Sequence, residues 1–175
     1  MTQPRATGRR LPPFLAGLLA RFSAEERSPQ PLGHVVGLVD AVLDGLGIDG
    51  ERQDSEEGWD WTLQVGSAPI DIGLHHNDLL NEDTLEVKAT ILRLPPQRLL
   101  AFYRRCLELN RLLIGCAIGI EGDAVIVSSE RLLPGLDRAA IARMLLDVAS
   151  AADQLDDDLA QEFGAAKLGE DLLEP

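Results

Sequence analysis

The stretch Trp59-Asp-Trp-Thr-Leu-Gln-Val65 decides the fold class, because its large apolar side chains occupy every second position. Successive side chains of a strand point to opposite faces of a sheet, so this alternation predicts a strand with one face in a core and the other in water. The same spacing returns in two downstream segments, at Ile70, Ile72 and Leu74 and at Leu85, Val87, Ala89 and Ile91. We expect three half-buried strands that follow one another in a meander.

A hairpin is predicted further along the chain, around Gly122-Asp123. Apolar side chains alternate over residues 113–121 before this dipeptide and over residues 124–130 after it. A two-residue connection of Gly and Asp between alternating segments is typical of a hairpin turn. The sheet therefore gains two more antiparallel strands.

Three helices are predicted around these strands, in segments where apolar side chains recur at helical spacing: residues 32–46, 95–110 and 137–164. Gly47 and Gly164 can cap the ends of the first and third helices, and Asp137 can cap the start of the third. Pro95-Pro96 suits the first turn of the second helix, whose N–H groups have no partner within the helix. The third helix is longer than a small sheet needs, so we expect its far end to overhang the domain. The predicted class is α+β, an antiparallel sheet packed with helices.

The 175 residues are divided into one folded domain and two flanking segments. Ser28-Pro-Gln-Pro31 interrupts the helical periodicity, so we assign residues 1–31 to an N-terminal arm, residues 32–164 to the domain and residues 165–175 to an acidic tail. The arm carries its own apolar stripe at helical spacing, at Phe14, Leu15, Leu18, Leu19 and Phe22. A domain of this size can bury a core without disulfides.

The net charge of −13, from 29 acidic and 16 basic side chains, narrows the choice of partners. A surface of this sign repels phosphate, so we expect no nucleic acid and no membrane as partner and favour basic or amphipathic protein segments. No apolar run reaches the roughly 20 residues of a membrane span. The arm resembles the start of a signal peptide, but Pro12-Pro13 breaks its apolar run and Arg21 ends it. Cys106 and Cys116 occupy apolar positions as reduced thiols do, which favours a cytoplasmic location.

The sequence contains few candidate catalytic or metal-binding motifs. His75-His76, with acidic residues nearby, is the cluster that suggests a metal site, yet adjacent side chains on a strand point to opposite faces. The sequence contains no Gly-x-Ser-x-Gly elbow and no phosphate-binding glycine loop. We therefore predict a protein that is not an enzyme and has no catalytic residues, cofactor or metal. A metal-dependent enzyme using His75 and His76 is kept as an alternative.

The second helix has more apolar surface than one packing face requires. Its apolar side chains cover about half of the circumference, whereas a helix on one core needs a stripe of about 100°. We predict that this helix also contacts a second copy of the chain, through Leu99, Phe102, Tyr103, Cys106 and Leu109. The alternative is that the first helix or the arm covers this surface within the same subunit.

The order helix, three strands, helix, two strands, helix resembles the secretion-chaperone-like fold of the YbjN family and the related type III secretion chaperones. The likeness is strongest at Leu107-Glu-Leu-Asn-Arg-Leu-Leu113, which leads into a Gly-spaced strand and the Gly-Asp hairpin, and at Leu132-Leu-Pro134 before a long amphipathic helix. It covers about residues 32–163. The resemblance implies a mixed α+β domain, commonly dimeric, that holds peptide segments of other proteins on apolar surface or regulates by binding.

The leading interpretation is a non-catalytic, homodimeric module that binds protein or peptide segments by sheet-edge pairing or groove contact. We expect the first helix and first strand to form the binding surface, with Val36, Leu43, Trp59 and Trp61 as its contact residues. Trp59 and Trp61 share one face of their strand, so they are either core or an anchor for a bound peptide. A structural or regulatory domain whose apolar faces are all satisfied internally is the main alternative, and it predicts a monomer.

Overall fold

The computed structural model describes residues 32–55, 58–65, 68–78 and 81–166. Within these ranges the elements follow in the order α1 (Leu32–Leu46), β1 (Gly50–Asp54), β2 (Gly58–Val65), β3 (Ala68–Asn77), β4 (Glu82–Arg93), α2 (Leu99–Asn110), β5 (Ala117–Glu121), β6 (Ala124–Leu132) and α3 (Arg138–Phe163). The described strands form one antiparallel sheet in the order β1-β2-β3-β4-β6-β5. The predicted α+β class is confirmed. The predicted arm and residues 167–175 of the predicted tail lie outside the described residues.

The alternating apolar side chains meet across the sheet in register. One row of paired residues runs across five strands and is buried throughout: Leu63, Ile70, Ala89, Val127 and Ile118. A one-residue slip of any strand would move its apolar side chains to the opposite face, so this row holds the register. α1 and α3 cover this face, and α3 packs on β3, β4, β6 and α1.

The predicted turn at Gly122-Asp123, the end of the first helix and both ends of the third helix are confirmed. Gly47 and Gly122 adopt the left-handed backbone conformation, with φ of 66° and 61°, and the hairpin turn contains only Gly122 and Asp123. The Asp137 side chain accepts a hydrogen bond from the Ala140 N–H at 2.7 Å, which satisfies one free donor of the first turn of α3. Gly164 ends that helix in the left-handed conformation.

Three boundaries differ from the prediction. β1 was not predicted, because all five of its residues are exposed and none is a large apolar residue. α2 begins at Leu99 and not at Pro95-Pro96, since Arg98 precedes it with a φ of 60°, which is not a helical conformation. β5 begins at Ala117, four residues later than expected, because Gly115 has a φ of 81° and interrupts the extended chain.

The far end of α3 packs on α2, so the predicted overhang was wrong. The Phe163 ring lies 5.2 Å from the Phe102 ring, edge to face. The guanidinium of Arg98 lies 5.0 Å from the Phe163 ring centre and donates to the Glu162 carbonyl oxygen at 3.0 Å. This contact satisfies a carbonyl in the last turn of α3 and favours a cation at the negative end of the helix dipole. Ala165 is buried beyond the helix, and the Ala166 carbonyl oxygen accepts from the Arg93 N–H.

The opposite face of the sheet is polar and mainly acidic, and Glu86 lies near its middle. Burial raises the pKa of Glu86 above its usual value; Lys88 opposes this rise, and Glu121 and Glu130 add to it. Glu130 is the direct cross-strand neighbour of Glu86, an arrangement that is unfavourable for like charges.

Replacing Glu86 with glutamine is therefore expected to stabilise the protein at pH 7. A carboxyl group with a raised folded-state pKa costs stability above that pKa, and the cost disappears below the unfolded-state pKa. The gain in melting temperature from Glu86→Gln should accordingly shrink as the pH falls to about 4, where the unfolded-state carboxyl takes up a proton. Thermal unfolding of both proteins across this pH range measures the difference. A gain that stays constant with pH would contradict this account of Glu86.

Candidate functional surfaces

Two cavities lie where α1 faces strands β1 and β2, at one edge of the described sheet, and we call the surface that joins them the α1–β2 groove. α1 and β2 run side by side in the same direction, because Leu32 and Trp59 line one cavity and Asp40 contacts Trp61 further along. The Trp61 indole N–H donates to Asp40 Oδ1 at 2.9 Å, and Arg52 of β1 donates to Asp40 Oδ2 at 2.7 Å. Asp40 thus ties the helix to both strands between the two cavities.

Cavities lie at both ends of this α1–β2 groove. At the start of α1 a cavity of about 240 Å³ is lined by Leu32, Ser55, Gly58, Trp59, Leu74, His75, His76 and Asp83. At the end of α1 a cavity of about 410 Å³ is lined by Asp40, Leu43, Asp44, Ile48, Asp49, Gly50, Arg52 and Trp61. The first has room for one large side chain, and the second has a strongly acidic rim. An apolar floor with acidic walls suits an amphipathic segment that carries arginine or lysine.

Three of the four predicted contact residues line the cavities, Trp59 the first and Leu43 and Trp61 the second, and Val36 lies on α1 one turn after Leu32. Trp61 and Leu43 belong to the core, with 1% and 5% of their surfaces exposed. Trp59 and Val36 are half-buried at the surface. Trp59 and Val36 are therefore accessible at the surface, whereas Trp61 and Leu43 lie beneath it.

A second candidate surface is the outward side of α2. The helix projects its side chains at 100° per residue, which brings Leu99, Tyr103, Leu107 and Leu100 within about 100° of one another. All four are exposed, Leu107 to 69% and Leu100 to 85%. We call these four residues the α2 stripe. An uncovered apolar stripe of this length on one helix is typical of a surface that another polypeptide covers.

The predicted interface residues of α2 are divided between this stripe and the core. Leu99 and Tyr103 belong to the α2 stripe, Leu109 is half-buried, and Phe102 and Cys106 are buried against the domain. The prediction of Phe102 and Cys106 as direct contacts of a second copy is corrected. Both are buried in their own domain, and Phe163 of α3 fills the space beside Phe102. The predicted interface lacks Leu100 and Leu107, although the same helical projection places them next to Tyr103.

Residues 33–170 match the family described as T3SS (YopN, CesT) and YbjN peptide-binding chaperone 1, abbreviated TY-Chap1. The chain belongs to this family. The resemblance inferred from the Leu107–Leu113 segment and the order of elements is thereby confirmed. No curated protein sequence matches the chain.

Solved structures share the TY-Chap1 fold at low sequence identity. A chain of the ExsC-ExsE complex has a TM-score of 0.58 and 16% identity, with 73% of this chain and 95% of that chain covered. A chain of the HopA1-SchA chaperone-effector complex has a TM-score of 0.54 and 10% identity, with 74% and 99% covered. An uncharacterized protein from Methanothermobacter thermautotrophicus has a TM-score of 0.52 and 14% identity, with 73% and 98% covered. At these identities the likeness shows the fold.

The Asn110 side chain of this TY-Chap1 domain closes part of the β5 edge of the sheet. Its Nδ2 donates to the Ile118 carbonyl oxygen at 3.2 Å, and its Oδ1 accepts from the Ile118 N–H at 2.7 Å. In an antiparallel ladder, a residue turns both of these groups either toward its partner strand or away from it. At Ile118 both groups bond to Asn110, so an incoming strand cannot pair there. β1, beside the α1–β2 groove, forms the other edge of the described sheet.

The cysteines and histidines of the chain take separate positions. Burial raises the pKa of the Cys106 thiol and of the Cys116 thiol, to which Asp147 adds at Cys116, and this shift favours the protonated, less reactive form of each. His75 faces the polar side of the sheet, and His76 Nδ1 lies 2.9 Å from Asp83 Oδ1. Across the described ranges, no three His, Cys, Asp or Glu side chains are grouped to hold a metal ion. In the same ranges, no helix is both long and apolar enough to cross a membrane.

Proposed function

We propose that the protein is a non-catalytic, cytoplasmic binding module that forms a homodimer through the α2 stripe and holds a segment of another protein in the α1–β2 groove. The α2 stripe is the observation that carries this proposal. Four neighbouring apolar side chains on the outer face of a well-packed helix lose contact with water when a second copy covers them, and this burial is the main source of association energy. A monomer whose apolar faces all pack within its own fold would not expose these four side chains on one helix.

Two features support the α1–β2 groove as the peptide site. Trp59 is large, apolar and half-buried beside a cavity, as anchor residues of interfaces commonly are. Strand β1 borders the groove at an edge of the sheet, whereas Asn110 blocks pairing at Ile118 on β5. An extended segment would therefore add to β1 and place alternate side chains into the groove.

Capture from the native cell lysate tests this function on the full chain. We expect wild type to recover at least one protein, and Trp59→Ala to recover about tenfold less of it, because loss of a central aromatic anchor costs at least about 1.4 kcal/mol. Leu46→Ala is the matched control, since Leu46 is an exposed apolar residue at the end of α1 that lines neither cavity. Recovery that is equal for wild type and Trp59→Ala, or no protein recovered with wild type, would contradict the proposed site.

A further inference from the structure

We propose that residues 9–27 of the N-terminal arm bind in the α1–β2 groove of their own chain and compete there with the partner segment. This inference rests on the proposed function of the groove and adds its regulation. The occupant is a segment of this chain outside the described residues, and three independent observations favour it: where the arm joins the fold, the pattern of its side chains, and its charge.

The arm joins the fold at the groove itself. Leu32, the first described residue, lines the smaller cavity together with Trp59. Phe22 lies ten residues upstream, a span that reaches up to about 33 Å when extended. α1 has 15 residues and is therefore about 22 Å long. The apolar residues of the arm can thus reach any point along the groove without crossing to another face of the domain.

The side chains of the arm match the groove. Phe14, Leu15, Leu18, Leu19 and Phe22 recur at helical spacing and would form one apolar stripe. The cavity of about 240 Å³ beside Trp59 has room for one of the large side chains of this stripe. Burying a side chain of that size contributes roughly as much as a single anchor residue of an interface.

Charge complementarity points to the same occupant. Residues 9–27 carry Arg9, Arg10, Arg21 and Arg27 against Glu25 and Glu26, four basic side chains against two acidic ones, in a chain whose net charge is −13. Of the carboxylates that line the two cavities, Asp40 is paired with Arg52, and Asp83 lies 2.9 Å from His76 Nδ1. Asp44 and Asp49 add two further carboxylates at the larger cavity. Arginines of the arm would therefore meet an excess of carboxylates on the groove walls.

The C-terminal tail fits this role less well. The described chain ends at Ala166, whose carbonyl bonds to Arg93, at the end of β4 opposite Asp83 and the smaller cavity. Ten residues of strand separate Asp83 from Arg93, about 33 Å at 3.3 Å per residue. Residues 167–175 include Glu170, Asp171 and Glu174, which the acidic groove would repel.

Intrinsic fluorescence reports on the groove directly, because Trp59 and Trp61 are the only tryptophans of the sequence. We expect acrylamide to quench the full chain with Leu18→Ser and Phe22→Ser more strongly than wild type. The matched control changes Leu172→Ser and Leu173→Ser in the tail and should quench like wild type. Equal quenching of wild type and the arm variant would overturn the proposal. Quenching of wild type that rises on dilution would also overturn it, since the groove would then hold the arm of a second copy.

Binding of a labelled synthetic peptide of residues 9–27, followed by fluorescence anisotropy, provides a second measurement. The arm variant should bind this peptide at least about tenfold more tightly than wild type, because a tethered arm competes at millimolar effective concentration. Adding Trp59→Ala to the arm variant should abolish the gain. If wild type and the arm variant bind the peptide equally, the arm does not compete. That failure is distinct from failure of the proposed function, which is judged by capture of another protein with wild type.

Discussion

Replacing Leu107 with aspartate is expected to separate the dimer into monomers, with the dissociation constant raised at least about a hundredfold. Leu107 lies between Tyr103 and Leu100 on the α2 stripe and is 69% exposed in the single chain. A carboxylate there would lose its water on association without gaining a partner, a cost of at least about 3 kcal/mol. Because the side chain has little contact with its own domain, the fold of each subunit should be unchanged. Sedimentation velocity across a concentration series measures the shift.

Leu46→Asp is the control for the Leu107 substitution. Leu46 is also an exposed leucine near the end of a helix, 45% exposed, but it belongs to α1. Leu46→Asp should leave self-association unchanged, which would show that dissociation by Leu107→Asp depends on the α2 stripe and not on added charge. Dimers of Leu107→Asp as tight as those of wild type would contradict the assignment of the interface.

Replacing Phe102 with alanine is expected to lower the free energy of unfolding by about 3–5 kcal/mol. Its side chain is fully buried, and its ring meets Phe163 edge to face at 5.2 Å. The substitution removes the contact that holds the end of α3 on α2 and leaves a cavity between them. Urea unfolding at several protein concentrations separates this loss from any change in dimer affinity, because only the latter varies with concentration.

The adjacent aromatic residue supplies the comparison for Phe102. Tyr103 is 37% exposed on the α2 stripe, so Tyr103→Ala should weaken the dimer and change the stability of the separated subunit by less than about 1 kcal/mol. Equal loss of subunit stability from the two substitutions would contradict the division of α2 into a core side and a stripe.

The parts of the fold that follow from sequence are those decided by short-range rules. The end of α1 at Gly47, the turn at Gly122 and the start of α3 at Asp137 each depend on one residue type in one backbone position. β1 has no such signal, since Gly50-Glu-Arg-Gln-Asp54 contains no large apolar residue. Its structure comes from pairing with β2 along an edge, which local periodicity does not encode.

The difference between short-range rules and long-range packing also explains which residues of the candidate surfaces follow from sequence. Helical spacing indicates that α2 has more apolar surface than one packing face requires. It does not distinguish Phe102 from Tyr103, which are adjacent aromatic residues in the sequence. Phe163, about sixty residues away, decides which of them is core. In β2, alternation placed Trp59 and Trp61 on one face, and the contact of Asp40 with Trp61 explains why Trp61 is the more deeply buried. Long-range packing therefore selects the surface residues from a set that the sequence pattern identifies.

The mass of the wild-type protein in solution tests the central claim most directly. Sedimentation equilibrium should give about twice the chain mass of 19.0 kDa at micromolar concentration, because burial of the α2 stripe on both copies stabilises the pair. A mass of 19.0 kDa that does not change with concentration would contradict the account, since the α2 stripe would then remain in water with no second copy to cover it.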